Sequence, residues 1–335
     1  MLSRWYPPGA LHQWVFEFLR LYCQTPGEFM EFVRNLEQKR NGARSADHGL
    51  LQMGYVNKQQ LLDYFLYVSG GVGVAVGNPL ARIYDALIHW DVFSEIPLAS
   101  SGMRADFQIN FIVVQDYQRR GVLENIVKGP HSLFLKYRMA TAAIVVEKDG
   151  QESIGSGSVV SHNGRTFVLT NRHVIDPQDK IAIKYVHLAD QRHPPPDTSL
   201  IISKTDDLAA FATSVPEHFP SFSLGDAGHI LQEVILLGFP KIPLTVKPHL
   251  TAHSGEINAI VETRTGERLY LISNYASPGS SGGPLIDYRG LLVGVVSDSL
   301  EAEYEKPHLL FQHSAAVTLD RVRQFVQNEV MVAMM

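Results

Sequence analysis

The segment that decides the fold is Ser277-Pro-Gly-Ser-Ser-Gly-Gly-Pro-Leu285. Ser281 follows a glycine by two positions and precedes Gly282-Gly283. Glycines permit a backbone turn that other residues resist, so that amide N–H groups point into one small volume beside the hydroxyl. Such a volume holds the oxygen of a tetrahedral intermediate. The segment predicts Ser281 as a nucleophile and the amides of Gly279 and Ser281 as oxyanion donors; an ordinary glycine-rich turn is the alternative.

Two upstream segments offer partners for this serine. Leu169-Thr-Asn-Arg-His-Val174 places His173 directly after a predicted strand, and imidazole titrates in the range that a general base needs. Thr205-Asp-Asp-Leu-Ala-Ala-Phe211 opens an apolar strand with two acids, either of which can orient an imidazole. Taken singly, each segment has an ordinary interpretation. His173 is one of 14 histidines in the chain, and the acidic pair suits a solvated turn before a strand. Together, in the order His, Asp, Ser, they predict a catalytic triad.

Short β-branched runs separated by turn residues fill the chain after residue 137. Asn163-Gly164 between two of them is a strong hairpin signal, because both positions accept a positive φ. Many short strands favour a sandwich or barrel over a parallel sheet. The predicted strands are Thr141–Val146, Gly157–Val160, Thr166–Thr170, Ile181–Tyr185, Leu200–Ser203, Asp207–Thr213, Glu233–Leu237, Leu250–Val261, Arg268–Ser273, Leu291–Val296 and Leu309–Gln312. A helix over about Leu319–Val332 follows them.

Apolar residues recur at helical spacing up to residue 137. Helices are predicted at 11–24, 27–40, 57–68, 79–91 and 109–127. We expect this region to be a helical regulatory or adaptor domain, with a winged-helix-like unit as an option over 57–127. Acidic and basic side chains there are about equal in number and form no basic stripe, so nucleic-acid recognition is disfavoured.

Composition limits the classes of protein that the chain can form. Its 335 residues predict about two domains, and 45% hydrophobic with 19% charged residues excludes wholesale disorder. A net charge of -5 argues against a chain built to coat nucleic acid or an anionic membrane. One cysteine, Cys23, excludes an intramolecular disulfide and a four-cysteine zinc site. His249 and His253 are too far apart along a strand to share a metal, so no metal and no cofactor are expected.

Over about residues 140–327 the sequence resembles the trypsin-like serine endopeptidases of the chymotrypsin fold, most closely their bacterial HtrA-like branch. Besides the three segments above, the motifs that carry this resemblance are Gly155-Ser-Gly-Ser-Val159, Leu237-Gly-Phe-Pro240, Thr251-Ala-His-Ser-Gly255 and Gly290-Leu-Leu-Val-Gly-Val-Val296. The resemblance implies two six-stranded β-barrels with the triad in the cleft between them. It also implies hydrolysis of peptide bonds in protein substrates.

Roles for single residues follow from the same resemblance. Ser281 is expected to be the nucleophile and His173 the base that later protonates the leaving amine. Asp207, rather than Asp206, is expected to hold the imidazole, because the family's acid directly precedes the Leu-Ala strand. The substrate-pocket residues implied by analogy are Tyr275, at the pocket base, with Ala276, Ser297, Asp298 and Ser299.

Departures from the family set further expectations. Secreted members rely on disulfides, which this sequence cannot form, and the amino-terminal residues do not resemble a secretory signal. Ser280 stands where zymogen-type members carry an aspartate, so activation by amino-terminal clipping is disfavoured. Typical HtrA-like chains also carry a PDZ domain, which is not expected here. These features favour a cytoplasmic enzyme without a membrane segment.

The sequence thus predicts an α+β multidomain protein. Residues 1–137 form an α-helical domain, and residues 138–335 form an all-β, double six-stranded barrel, trypsin-like protease domain. We expect an intracellular serine endopeptidase that is gated by its helical domain or by a regulatory protein partner. By architecture, this arrangement resembles effectors of bacterial signalling or antiphage defence. A catalytically silent trypsin-fold scaffold that only binds partners is the alternative.

Overall fold

A computed structural model describes residues 10–22, 27–41, 48–68, 77–97, 105–196, 199–213, 215–216, 219–245, 247–297 and 314–335. The chain divides into two compact units, Met1–Leu133 and Phe134–Met335. The division falls close to residue 137, where the sequence changes from helical spacing to short β-branched runs. Within the described ranges, no helix is both long enough and apolar enough to span a bilayer.

The first unit is mainly helical and also contains a small antiparallel sheet. Its helices, the last of which runs past the division, are α1 (Ala10–Tyr22), α2 (Gly27–Asn41), α3 (His48–Gln52), α4 (Lys58–Val68), α5 (Gly77–His89), α6 (Phe111–Arg119), α7 (Leu123–Lys128) and α8 (Pro130–Tyr137). Strands β1 (Tyr55–Val56), β2 (Phe93–Glu95) and β3 (Phe107–Ile109) pair in the order β1-β3-β2. The sequence did not predict these strands, and the single helix expected over 109–127 is interrupted. Gly121 takes a φ of 67° there, which an α-helix cannot accommodate.

Aromatic side chains at helical spacing form the centre of this unit. Phe18 and Tyr22 of α1 stack with ring centroids 5.2 Å apart, and Phe18 meets Phe29 of α2 edge-on at 5.0 Å. Phe65 of α4 meets Phe18 at 5.8 Å and is 1% exposed. Phe18 therefore joins α1 to α2 and α4. It shares one face of α1 with Tyr22, because residues four apart lie on the same side of a helix.

The elements α3, β1, α4, α5, β2 and β3 follow one another as helix, strand, two helices and two strands. Strand β3 is central in the sheet, and a winged-helix-like unit stays a prediction for this region. Its elements run from His48 to Ile109, whereas the sequence suggested 57–127. The third helix of this order, α5, carries Arg82, Asp85 and His89 in its described part, which do not form a basic stripe.

The second unit begins with a seven-stranded antiparallel sheet in the order β8-β7-β4-β5-β6-β10-β9. Its strands are β4 (Thr141–Lys148), β5 (Gln151–His162), β6 (Arg165–Thr170), β7 (Ile181–Leu188), β8 (Gln191–His193), β9 (Ile201–Ile202) and β10 (Ala209–Ala212). Asn163 and Gly164 form the β5–β6 turn with φ values of 48° and 73°, as the hairpin signal predicts. The resemblance implies a closed six-stranded barrel in this part of the chain. The strands form instead a seven-stranded sheet with the short strands β8 and β9 at its edges.

The remaining strands close into a six-stranded barrel in the order β11-β12-β13-β16-β15-β14. They are β11 (Glu233–Gly238), β12 (Thr251–Glu262), β13 (Arg268–Ile272), β14 (Pro284–Ile286), β15 (Leu292–Ser297) and β16 (Ser314–Thr318). Buried side chains such as Leu236, Tyr270 and Val293 fill the interior. The strand predicted at Leu309–Gln312 lies outside the described residues. Helix α10 (Leu319–Phe325) continues through a wide turn, Val326–Val330, into α11 (Met331–Ala333), over the range predicted for one helix.

Candidate active site

His173 lies just beyond the end of β6, in the short helix α9 (Arg172–Ile175). Its backbone N–H donates to Oδ1 of Asp207 at 3.1 Å, and its ring Nδ1 lies 2.7 Å from Oδ2 of the same carboxylate. The His173 side chain is 44% exposed, whereas that of Asp207 is 9% exposed. A buried carboxylate therefore holds the imidazole at its inner nitrogen, and the rest of the ring remains accessible from outside.

Asp207 precedes β10 in a loop that fixes its carboxylate from several sides. The amide of Asn171 donates to the Asp207 backbone carbonyl at 2.7 Å. The Ser297 hydroxyl, at the end of β15, donates to Oδ2 at 2.8 Å. Burial alone raises the pKa of Asp207, but hydrogen bonds from His173 and Ser297, and the charge of His173, outweigh it and hold the pKa below its usual value. The carboxylate is thus an anion that accepts three hydrogen bonds.

The serine loop leaves two amides without an acceptor. The N–H groups of Ser280, Gly282 and Gly283 donate to Ser277 O, Val296 O and Ser280 O at 2.8, 2.8 and 3.0 Å. Across the described residues, the N–H groups of Gly279 and Ser281 have no such partner. Gly279 takes a φ of 101°, which favours glycine because a side chain is disfavoured there. These are the two amides that the sequence predicts as oxyanion donors.

Ser156 of β5 fastens this loop, a role that the sequence did not reveal. Its N–H donates to Ser281 O at 2.8 Å, and its hydroxyl donates to Gly279 O at 2.7 Å. The same hydroxyl accepts from the N–H of Phe239 at 2.8 Å. The peptide planes that carry the two free amides are fixed as well, because Pro278 O accepts from the N–H of Lys241 at 2.8 Å and Ser280 O accepts from that of Gly283 at 3.0 Å. The free amides therefore keep one orientation. The signal in the sequence was the Gly155-Ser-Gly-Ser segment, noted as a family motif without a function.

The histidine segment and the serine loop meet at one cavity. Its volume is about 260 Å³, and His173, Gly279 and Ser281 all line it. Gly155 contributes to the wall, and a Cβ there would lie 2.4 Å from Val174, so the wall requires a glycine. The structure thus brings the imidazole, the serine and a free amide to one hollow on the surface of the second unit.

Comparison with known proteins fits this geometry. Residues 155–295 match the family model described as a trypsin-like peptidase domain. The chain carries a trypsin-like peptidase domain. The matched range begins in β5 and ends in β15, and it contains His173, Asp207 and Ser281.

Relatives of the peptidase domain include HtrA-type proteases. A "Probable periplasmic serine endoprotease DegP-like" from Marinomonas sp. is 31% identical over 44% of this chain and 30% of its own length. A "Serine protease Do-like HtrA" from Lactobacillus helveticus is 30% identical over 44% of this chain and 36% of its own. The chain therefore spans about a third of the length of these relatives. Among solved structures, a serine endoprotease from Yersinia pestis is 20% identical over 59% of this chain and 65% of that chain, with a TM-score of 0.45.

The predicted substrate-pocket residues take different places in the peptidase domain. Tyr275 is 69% exposed and lies against the His253 ring at 5.9 Å, so it does not form a buried pocket base. Ala276 packs against the barrel core, and its N–H donates to the Ser314 hydroxyl at 3.0 Å. The buried Ser297 side chain points to Asp207 and not to a pocket, because its hydroxyl donates to that carboxylate. Asp298 and Ser299 lie outside the described residues.

The adjacent carboxylates of Asp206 and Asp207 have different partners. Nε of Arg321 in α10 donates to Oδ1 of Asp206 at 2.8 Å, whereas Asp207 meets His173. Of the two adjacent carboxylates, only Asp207 contacts the imidazole in the described contacts. The geometry agrees with the expectation that Asp207 is the acid of the triad, and it identifies a second buried ion pair beside it.

Proposed function

We propose that this protein is a serine endopeptidase that cleaves protein substrates through an acyl-enzyme intermediate. The supporting observation is that His173, which pairs with Asp207 at 2.7 Å, lines the same cavity as Ser281, whose loop has two acceptor-free amides. A protein that only binds partners has no need of this combination. The arrangement therefore favours an enzyme over the silent scaffold.

In the proposed reaction, Oγ of Ser281 attacks the carbonyl carbon of the substrate and its proton passes to Nε2 of His173. The amides of Gly279 and Ser281 donate to the oxyanion of the tetrahedral intermediate. The C–N bond then breaks as His173 returns the proton to the leaving amine. Water, deprotonated by the same imidazole, hydrolyses the ester and restores Ser281. Asp207 fixes the imidazole tautomer and stabilises the imidazolium while it exists.

The first test is covalent labelling with a fluorophosphonate, which reacts with serines activated in this way. We expect the label on Ser281, and we expect Ser281→Ala to abolish it, because the attacking oxygen is gone. Ser280→Ala is the matched control, since this neighbouring buried serine has no proposed part in the chemistry. Mass spectrometry of the labelled peptide locates the adduct. A label on another residue, or one that persists in Ser281→Ala, contradicts the proposal.

We further propose that residues 1–137 gate the activity through contact with a regulatory protein in the cytoplasm, in a signalling or defence role. The supporting feature is a groove between α2 and α4, whose lining includes Glu28, Glu31, Phe32 and Tyr67. Tyr67 is 69% exposed, although aromatic side chains are usually buried. Acidic and aromatic side chains together suit a partner segment that carries an apolar anchor beside Lys or Arg.

This gating is tested with Tyr67→Ala in the full chain. We expect Ser281 labelling of the purified protein to stay within about twofold of wild type, because Tyr67 has no part in the peptidase site. We expect any stimulation of labelling by lysate of the native cells to be lost. Tyr55→Phe, in β1 of the same unit, is the control. Equal stimulation of Tyr67→Ala and wild type contradicts the groove's role, and recovery of the protein from a periplasmic fraction contradicts the cytoplasmic location.

A further inference from the structure

A second ion pair lies directly behind the triad. Asp206 has a side chain that is 4% exposed and is paired with Arg321, itself 25% exposed. The Asp206 carboxylate also accepts from the hydroxyl of Thr205 at 2.8 Å. A buried charge that loses its partner is strongly destabilised, so Asp206 depends on Arg321. The peptide bond between Asp206 and Asp207 ties this pair to the triad acid.

Arg321 joins three separate parts of the peptidase domain. Besides Asp206, its guanidinium donates to the carbonyl of Gly266, in the β12–β13 turn, at 3.1 Å. Its own position is in α10, which follows β16. The hydroxyl of Ser203 accepts from the N–H of Asp206 at 3.3 Å and completes the loop before Asp207. A single side chain thus holds the Asp207 loop against the β12–β13 turn and α10.

The turn next to Gly266 brings a third carboxylate to this cluster. Burial is the main cause that raises the pKa of Glu267, and the charges of Asp207 and Asp206 raise it further, while Arg172 opposes them. The backbone of Asp207 acts in the same sense as Arg172 and lowers the pKa of Glu267. Arg321 pairs with Asp206, and the charge of Arg172 acts on Glu267, so the removal of either Arg321 or Asp206 changes the balance of charge behind the imidazole.

We propose that Arg321 is a positioning residue for the reaction proposed above: it fixes the Asp207 loop through Asp206 and neutralises the charge next to the triad acid. This inference rests on the proposed peptidase function. The charged groups that the described contacts bring to this part of the domain include Asp207, Asp206, Glu267, Arg172, Arg321, Asp176 and Lys148, the last of which lines the same cavity as His173. Of these, Asp206 and Arg321 form a pair whose two charges can be removed separately or together.

The two single substitutions have opposite electrostatic consequences. Arg321→Gln leaves the Asp206 anion uncompensated, which favours the protonated imidazolium of His173. Asp206→Asn leaves the Arg321 cation uncompensated, which disfavours it. The double variant Asp206→Asn, Arg321→Gln removes both charges and keeps a polar contact. A residue that only supports the fold would instead weaken activity in the same sense in both single variants.

The experiment measures the rate constant of fluorophosphonate labelling at Ser281 against pH in the full chain. This reaction needs the neutral imidazole, so its acid limb reports the charge on His173. We expect the acid limb to move about 0.5 pH units higher in Arg321→Gln and by a similar amount lower in Asp206→Asn. The double variant is expected within about 0.2 units of wild type, and Arg321→Lys is expected to retain most of the wild-type position. Thermal unfolding checks that each variant is folded.

Shifts of the same sign, or no shift in either folded single variant, overturn this inference. If Arg321→Gln fails to fold, Asp206→Asn and the double variant still decide it, because the predicted downward shift must appear in the first and vanish in the second. Failure of the peptidase proposal itself is a separate result, since wild-type Ser281 would then remain unlabelled. A labelled wild type with unshifted variants leaves the peptidase function intact and removes only the role of Arg321.

Discussion

Replacement of Asp207 by asparagine is expected to lower the rate constant of Ser281 labelling on the order of 10⁴-fold. Oδ2 of Asp207 accepts from both Nδ1 of His173 and the Ser297 hydroxyl, and Oδ1 accepts from the His173 backbone N–H. An asparagine amide facing Nδ1 donates instead of accepting. The ring then carries its proton on Nε2, which can no longer take the proton from Ser281.

The neighbouring carboxylate provides the control for this prediction. Asp206→Asn removes the same charge one residue earlier, but Asp206 contacts Arg321 and not the imidazole. We expect it to reduce the labelling rate constant by less than about tenfold, because its effect on the imidazole is indirect. Similar losses in both variants would contradict the assignment of Asp207 as the acid that orients His173.

Asp207→Asn is also expected to change the free energy of unfolding in a pH-dependent way. The pKa of Asp207 is below its usual value in the folded protein, so ionised Asp207 stabilises the fold above its unfolded pKa, near pH 4. That contribution is lost as the pH falls through the folded pKa. The free energy of unfolding of wild type minus that of Asp207→Asn, measured in urea, is therefore expected to be largest near neutral pH and to shrink below about pH 4. A difference that grows on acidification contradicts the cause assigned to the pKa.

Local sequence was sufficient to predict the side chains that the proposed reaction uses. A glycine-rich loop leaves a distinct pattern, because glycine is favoured where the backbone takes a positive φ. Gly279, with a φ of 101°, is such a position. His173 and Asp207 were recognisable because each adjoins a strand with its own clear pattern, β6 or β10. The hairpin at Asn163-Gly164 was found in the same way. In each case the chemical requirement and the signal lie within a few residues of one another.

The residues that hold the site in place were not predictable by such means. Ser297, Arg321 and Ser156 hydrogen-bond to Asp207, Asp206 and Gly279, which are 90, 115 and 123 positions away in the sequence. A lone serine in a strand, or an arginine in a terminal helix, has no local pattern that distinguishes it from a surface residue. Analogy with the family predicts Ser297 as a pocket residue, whereas its hydroxyl donates to Asp207.

Element boundaries and sheet closure also depend on distant pairing. Strands β1 and β2 are two and three residues long and exist because both pair with β3, so no periodicity marks them. In the peptidase domain, the strands were visible from their β-branched runs, but their assembly was not. The second sheet closes through the pairing of β11 with β14, whereas the first ends at β8 and β9.

Gly282→Ala is expected to destabilise the peptidase domain by about 3 kcal/mol or more. Gly282 takes a φ of 85°, and a Cβ added there would lie 2.1 Å from the carbonyl oxygen of Ser156 and 2.2 Å from Oγ1 of Thr170. The Ser156 oxygen belongs to the backbone of a central strand and already accepts from that hydroxyl at 2.7 Å. Relief of the contact must therefore move the serine loop itself or β5.

Gly164→Ala separates the two causes of the destabilisation expected for Gly282→Ala, which are backbone strain at a positive φ and the steric contact of the added Cβ. Gly164 has a similar φ of 73°, but a Cβ there would meet nothing within 4 Å. It is expected to cost about 1 kcal/mol from backbone strain alone, so the difference between the two variants in urea-induced unfolding measures the steric contact. Any Gly282→Ala protein that remains folded is expected to label more slowly at Ser281, because the loop that carries the two free amides has moved, whereas Gly164→Ala labels at the wild-type rate. Equal destabilisation of the two variants, with normal labelling in both, would show that the serine loop tolerates a side chain at this position.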